Sequence, residues 1–121
     1  MDIYKQLIIE HYKNPLHFGR LDRKTVSGSS ENPSCGDNIV IDLQIGDGSI
    51  VNVGFDGSGC AISQAGASLL CDFIKNKSLD DVRAIDREQV LSLLGVDLTE
   101  SRKKCALTAF YALQNAIYNL K

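Results

Sequence analysis

Three cysteines and one aspartate carry most of the chemical potential of this chain: Cys35-Gly36-Asp37, Cys60 and Cys105. Thiolates and carboxylates bind metal ions, and Gly36 gives the two side chains around it freedom to turn toward one centre. The intervals from Cys35 to Cys60 and from Cys60 to Cys105 are long, so only a folded domain brings these groups together. Three thiolates and a carboxylate suit tetrahedral Zn²⁺, with sulfur at ~2.3 Å and oxygen at ~2.0–2.2 Å. The hard carboxylate is the odd member and the one expected to be held least. Releasing Asp37 would open a coordination position or free a cysteine to accept sulfur. Thiolates also hold iron–sulfur clusters, and an oxygen in place of one cysteine suits a cluster that can leave.

The same residues have plainer readings. A free cysteine is often only a small buried hydrophobe, no CxxC pair marks a metal site, and Gly-Asp is ordinary turn chemistry. Spacing alone leaves ligand and packing roles both open. Cys71 falls on an apolar helical stripe and is expected to pack. His11 and His17 lack matched partners and read as surface or packing residues, or as part of a partner-binding face. Arg102, Lys103 and Lys104 place positive charge beside Cys105, with Lys103 expected on a solvated face.

The elements that must position these residues follow from periodicity. Residues 2–13 predict a helix capped by Asp2, with Ile3, Leu7, Ile8 and Tyr12 on one face, ended by Asn14-Pro15. Residues 16–34 read as loop with a short strand at Thr25–Ser29. Ile39, Ile41, Leu43 and Ile45 alternate with Val40, Asp42 and Gln44, and Val51, Val53 and Phe55 repeat the alternation beyond a Gly46-Asp47-Gly48 turn, which predicts a hairpin. Gly57-Ser58-Gly59 is expected to break the second strand just before Cys60. From Ala61 to Lys75 the period becomes helical. Ser78 caps a further helix start, Arg87–Leu94 form a short helix stopping at Gly95, and a last helix runs from about Thr99 or Ser101 to Leu120. Cys60 and Cys105 thereby fall near helix amino termini, whose unpaired N–H groups favour thiolate over thiol. Strands precede helices, so the helices are expected on one face of a small antiparallel sheet, an α+β architecture.

Composition narrows the function. The 121 residues are expected to form one domain, 1–121, large enough to bury a core. A net charge of −2 without a basic tail or face argues against nucleic acid. No stretch approaches the ~18 apolar residues of a membrane span, and the opening residues lack the pattern of a signal peptide. The chain is expected to be cytoplasmic, where its four cysteines serve as thiols, ligands or catalysts rather than disulfides. Two bridges in a secreted domain is the alternative, which the missing export signal disfavours.

Asn32-Pro33-Ser34-Cys35-Gly36-Asp37, Gly57-Ser58-Gly59-Cys60-Ala61-Ile62-Ser63 and Lys104-Cys105 closely resemble the iron–sulfur cluster assembly scaffold family, the IscU/SufU/NifU amino-terminal type. His11-Tyr12-Lys13-Asn14-Pro15 through Gly19 is similar to the family's opening segment. The resemblance covers nearly the whole chain. It implies an α+β fold with a three-stranded antiparallel sheet and helices packed against it. It implies a site of Cys35, Asp37, Cys60 and Cys105 that binds Zn²⁺ or a nascent [2Fe–2S] cluster. It also implies a cysteine desulfurase partner that delivers sulfane sulfur as a persulfide. Two features set the chain apart. Lys104 stands where the IscU branch commonly has histidine, and with Gly-Cys-Ala-Ile-Ser it looks like the SufU branch. Yet the Cys60–Cys105 interval is too short for the insertion usual in that branch.

The leading expectation is therefore a scaffold that accepts sulfur at Cys105, with Lys104 stabilising the thiolate or persulfide. It would combine sulfur with iron held by Cys35, Cys60 and Asp37, then pass the cluster to apo iron–sulfur or carrier proteins. The alternative is a zinc-dependent sulfurtransferase that relays persulfide sulfur without assembling a cluster. A structural zinc in an interaction module is a third reading, which the Asp37 ligand counts against.

Overall fold

The structure is a computed structural model that describes residues 3–33, 36–95 and 97–120. Helix α1 (Ile3–Lys13) leads to strands β1 (Val26–Asn32), β2 (Asp37–Gly46) and β3 (Ser49–Ser58). Helices α2 (Ala61–Ile74), α3 (Leu79–Arg83), α4 (Arg87–Leu94), α5 (Glu100–Ala106) and α6 (Thr108–Tyr118) follow. The strands form one antiparallel sheet in the order β1-β2-β3, the α+β architecture expected. Asp2, the expected cap of α1, lies outside the described residues. The stops are as read: α1 ends before Asn14-Pro15, and α4 ends at Gly95 in the left-handed conformation, φ 69°. Ser78 accepts from the Asp81 amide and caps α3.

The core lies between the sheet and two helices. Ile39, Ile41 and Leu43 of β2 present one face, and with Val53 and Phe55 of β3 they meet Leu70, Cys71 and Ile74 of α2 and Ala109, Phe110 and Leu113 of α6. Alternation on β3 is interrupted, which corrects the expectation for its start. The ladder pairs Gln44 with Asn52 but Ile45 with Ile50, so Val51 is an extra residue. Because side chains alternate with a period of two, that bulge flips the register. Ile50 is fully buried and Val51 is 44% exposed.

Three further boundaries and one burial pattern differ from the sequence reading. β1 runs on through the Ser/Gly/Asn-rich stretch as far as Asn32, because every residue from Val26 to Asn32 has a partner on β2. β3 likewise continues through Gly57 and Ser58, which pair with Ile39 and Asn38. The expected amphipathic stripe on α2 is instead burial nearly all round its first half, from Ile62 to Ser68. Small side chains allow this. Gly66 lies so close to the Ala106 carbonyl that a Cβ would sit 3.0 Å from it, and α1 and α6 also pack on α2. The last helix is two helices, with the break at Leu107. Its first part, α5, is short and ends just after Cys105.

The segment after α1 closes over the sheet. Gly19 donates to the Phe55 carbonyl at 2.7 Å and the Phe55 amide to the His17 carbonyl at 3.0 Å. Asp42, fully buried on β2, accepts from Arg20 Nε at 2.7 Å, from Arg20 Nη2 and the Leu21 amide at 3.0 Å each, and from the Ser27 hydroxyl. Burial pushes its pKa up, but the hydrogen bonds from Arg20, Ser27 and Leu21, with the guanidinium charge, outweigh that and hold it below the usual carboxylate range. A depressed native pKa contributes stability that is present above the unfolded value of about 3.9 and lost as pH falls through the native value. Asp42→Asn is expected to cost roughly 2 kcal/mol at pH 7. In urea unfolding with chelator present, the gap between wild type and variant should close below pH 4. A gap independent of pH would contradict the assignment.

Among the described residues, no helix is long and apolar enough to cross a membrane.

Candidate metal centre

The centre forms where one end of the sheet meets α2 and α5. Pairing of Asn32 with Asp37 across β1 and β2 fixes the ends of the short connection that contains Cys35. Cys35 itself lies outside the described residues. Gly36 has φ 69°, the left-handed region a glycine enters without strain. Asp37 is thus the first residue of β2 rather than part of a loop, and its carboxylate is 2% exposed.

Cys60 is the N-cap of the 14-residue α2, as its position after the glycines suggested, and is half-buried. Its side chain makes no capping bond. Asp37, from a different element, engages the cap residue's own amide instead: its Oδ1 accepts from the Cys60 amide at 2.9 Å and from the Ser63 hydroxyl at 3.1 Å. Ser63 Oγ also lies 2.9 Å from the Cys60 carbonyl, and its single proton serves one acceptor at a time. Gly59, at φ 151°, makes room for this arrangement, since a Cβ there would overlap Asp37 Oδ1 and Ser63 Oγ.

Cys105 is supplied by α5 and is 3% exposed. It stands next to last in that helix, not in the opening turns expected, because the helix breaks two residues later. The amino-terminal field of α2 therefore acts on Cys60, and Cys105 receives no such support from its own helix. One ligand atom from each of Asp37, Cys60 and Cys105 lies within 4.8 Å of the others. Donors around tetrahedral zinc stand ~3.8 Å apart for sulfur pairs at a bond length of ~2.3 Å. The three groups therefore fit one ion after small adjustments. The donor set, two soft thiolates with a carboxylate, suits zinc or iron and is unsuited to calcium or magnesium.

The charged neighbours separate. Arg102 and Ser101 line a cleft of about 400 Å³ with Cys60, Ala61, Ile62 and Cys105. Lys104 is exposed and lines a different recess with Ser30, Glu31, Asn32, Thr108 and Tyr111. Lys103 pairs with Glu100 at 3.2 Å on the exposed face, as read. Cys71 is fully buried against the sheet. Burial, and secondarily the charge of Asp72, push its thiol pKa up, so it stays protonated and unreactive. His11 Nδ1 meets Ser68 Oγ at 2.6 Å and His17 Nε2 meets Asp72 at 3.1 Å, so both histidines tie the amino-terminal segment to α2.

Two residues at the centre escaped the sequence reading. Ser63 stands three positions after the N-cap, a spacing that returns a first-turn hydroxyl to the cap and could have been read. Asn32 had no local signal. Its Nδ2 lies 3.4 Å from Asp37 Oδ2 and 3.7 Å from Cys105 Sγ, a contact created by strand register and helix docking together.

Comparison with known proteins places this geometry in a family. The model of the NifU-like N-terminal domain matches residues 3–121. The zinc-dependent sulfurtransferase SufU of Bacillus subtilis (strain 168) is 33% identical, over 95% of this chain and 89% of the relative. That alignment runs over 133 positions, more than the chain's 121 residues, so the relative carries residues absent here. The iron–sulfur cluster assembly scaffold protein IscU of Rickettsia prowazekii (strain Madrid E) is 32% identical, over 98% and 92%. A crystal structure described as a candidate iron–sulfur cluster assembly scaffold for the SUF system of Fervidobacterium islandicum AW-1 superposes with a TM-score of 0.79. It is 25% identical and covers 95% of this chain and 96% of that one.

Proposed function

This chain belongs to the NifU-like N-terminal domain family, and from that premise we propose that it is a scaffold for iron–sulfur cluster assembly. Residues 1–121 would act as one scaffold domain that takes sulfane sulfur from a cysteine desulfurase, combines it with iron while an external electron donor reduces it to sulfide, and hands the cluster to apo or carrier proteins. The observation that carries the reading is the convergence of Asp37, Cys60 and Cys105 from three separate elements at one end of the sheet. Relatives named IscU and SufU supply the reaction class.

The ligands would be Cys35, Asp37, Cys60 and Cys105. Zinc bound there would hold the cysteines as thiolates; an iron–sulfur cluster is cargo at the same site. Cys105 is the proposed sulfur acceptor. Its thiolate attacks the outer sulfur of the donor persulfide, an S–S bond forms to Cys105, and the donor cysteine leaves as thiolate. The cleft it shares with Cys60 and Arg102 is the route for the donor, and the Arg102 guanidinium at its wall is suited to the negative charge that passes from one sulfur to the other. Asp37 is the ligand proposed to let go, since it is the one oxygen donor in the set. Its Oδ1 is already held by the α2 amino terminus, which gives the carboxylate a place to rest when unligated. Lys104 would act only from the neighbouring recess, on an acceptor sulfur that has swung toward Asn32.

A second reading is a zinc-dependent sulfurtransferase, favoured by the identity to SufU and by Lys104 before the third cysteine. One experiment separates the two. The protein is purified without oxygen, its zinc and iron are measured, and desulfurase, cysteine and ferrous iron are added. A transferable cluster chromophore is expected for the scaffold. Retained zinc and desulfurase turnover that rises at least tenfold only with Cys105 intact would move the chain to the sulfurtransferase reading. If Cys105→Ser changes neither metal content nor turnover, both readings fail.

A further inference from the structure

We propose that Asn32 is a positioning residue of the metal centre, one amide that holds both the oxygen ligand and the third thiolate in place. The inference rests on the reading of Asp37 and Cys105 as ligands and adds a residue to it. An ionised carboxylate only accepts hydrogen bonds, so the Asn32 side chain must turn its NH₂ group, not its carbonyl, toward Asp37 Oδ2, 3.4 Å away. The same nitrogen lies 3.7 Å from Cys105 Sγ, within reach of an N–H to sulfur bond. The NH₂ group has two protons, one for each neighbour.

Three further observations make this a built arrangement. Asn32 stands directly opposite Asp37 in the β1–β2 ladder, so its distance from the carboxylate is set by backbone pairing rather than by a flexible loop. Asp37 Oδ1 is already engaged by the Cys60 amide and Ser63, which leaves Oδ2 as the oxygen that Asn32 addresses. Cys105 comes from a different element, α5, which makes Asn32 a side chain that ties the sheet end of the site to α5. Groups that hydrogen-bond metal ligands fix ligand orientation, and removing them typically costs about 10–100-fold in metal affinity.

The test is titration of the chelator-treated protein with zinc, against a competing chelator, and separately with cobalt(II) as a spectroscopic probe. Wild type is compared with Asn32→Ala and with the isosteric Asn32→Asp. Zinc affinity should fall about tenfold or more in Asn32→Ala. It should fall further in Asn32→Asp, where an acceptor replaces the donor beside a carboxylate. The cobalt–thiolate charge-transfer band should move to longer wavelength in both, because a thiolate relieved of an N–H bond gives up electron density more readily. Unchanged affinity with an unmoved band overturns the proposal. So does loss of folded structure in both variants by circular dichroism, which would make Asn32 a structural residue. Failure of the wild type to bind either metal would instead sink the metal-site reading on which the proposal stands.

Discussion

Cys60→Ala is expected to weaken zinc binding by about a hundredfold to a thousandfold while leaving the metal-free fold standing. A structural zinc site has an apparent binding free energy of about 10–16 kcal/mol, so one ligand in a set of four accounts for about 2.5–4 kcal/mol. The fold should survive because the Cys60 side chain makes no bond in the cap of α2. The structural service at this position comes from its backbone amide, which donates to Asp37 Oδ1 at 2.9 Å, and alanine retains that amide. Thermal unfolding by circular dichroism with chelator present should therefore match wild type, whereas chelator competition for zinc should not. Cys71→Ala is the contrasting variant. Its thiol is fully buried in the core cluster with Ile41 and Leu70, so its loss should lower stability by a small cavity and leave zinc affinity unchanged. A Cys60→Ala protein that still binds zinc within about tenfold of wild type would remove Cys60 from the ligand set.

Gly28→Ala is expected to destabilise the protein by about 3 kcal/mol or more, the upper range for forcing atoms into a filled interior. The residue lies in a stretch of turn-like composition, and its backbone packs directly on the backbone of α6. A Cβ on it would overlap the Ala116 amide nitrogen and the Ala112 carbonyl oxygen, which are backbone atoms that cannot rotate aside. On either side of it, Asn115 Nδ2 donates to the Ser29 carbonyl at 2.7 Å and Asn119 Nδ2 to the Ser27 carbonyl at 3.0 Å. Four residues of helix rise ~6 Å and two residues of strand advance ~6.6 Å, so asparagines four apart on α6 meet carbonyls two apart on β1. This pair covers the edge strand of the sheet, which would otherwise present unpaired carbonyls. Wedging the helix away from Gly28 loses both bonds along with the packing. In a chain of this size the melting temperature should fall by about 10 °C or more. Gly46→Ala is the control, because a Cβ there meets only the Val51 side chain, at 3.4 Å, and should change little. Equal stability of the two variants would refute the close-approach account.

How much of this was legible beforehand depends on whether the cause was local. The hairpin of β2 and β3 was readable because alternation on a half-buried strand is a property of neighbouring residues. The bulge at Val51 was not, since an extra residue shows only when the two strands are placed side by side. The Ser/Gly/Asn-rich stretch has turn-like composition, and pairing with β2 and cover from α6 override it. The break at Leu107 is equally invisible in a run whose apolar spacing continues on both sides. It matters to the centre, because it moves Cys105 from the start of a long helix to the end of a short one.

By itself the sequence determined which chemistry the chain could perform. Thiols and a carboxylate, their order, the glycines beside Cys35, Asp37 and Cys60 and the cap position of Cys60 are all properties of residues and their near neighbours. The wording of the motifs also determined the family. Tertiary structure alone decided which of those groups meet, and what holds them. Asp37 accepts from a helix-start amide 23 residues further along the chain, and Asn32 reaches a sulfur 73 residues away. Such contacts join elements whose separation along the chain bears no relation to their separation in space. Their geometry is fixed by packing and strand register, which no local pattern of residue types encodes.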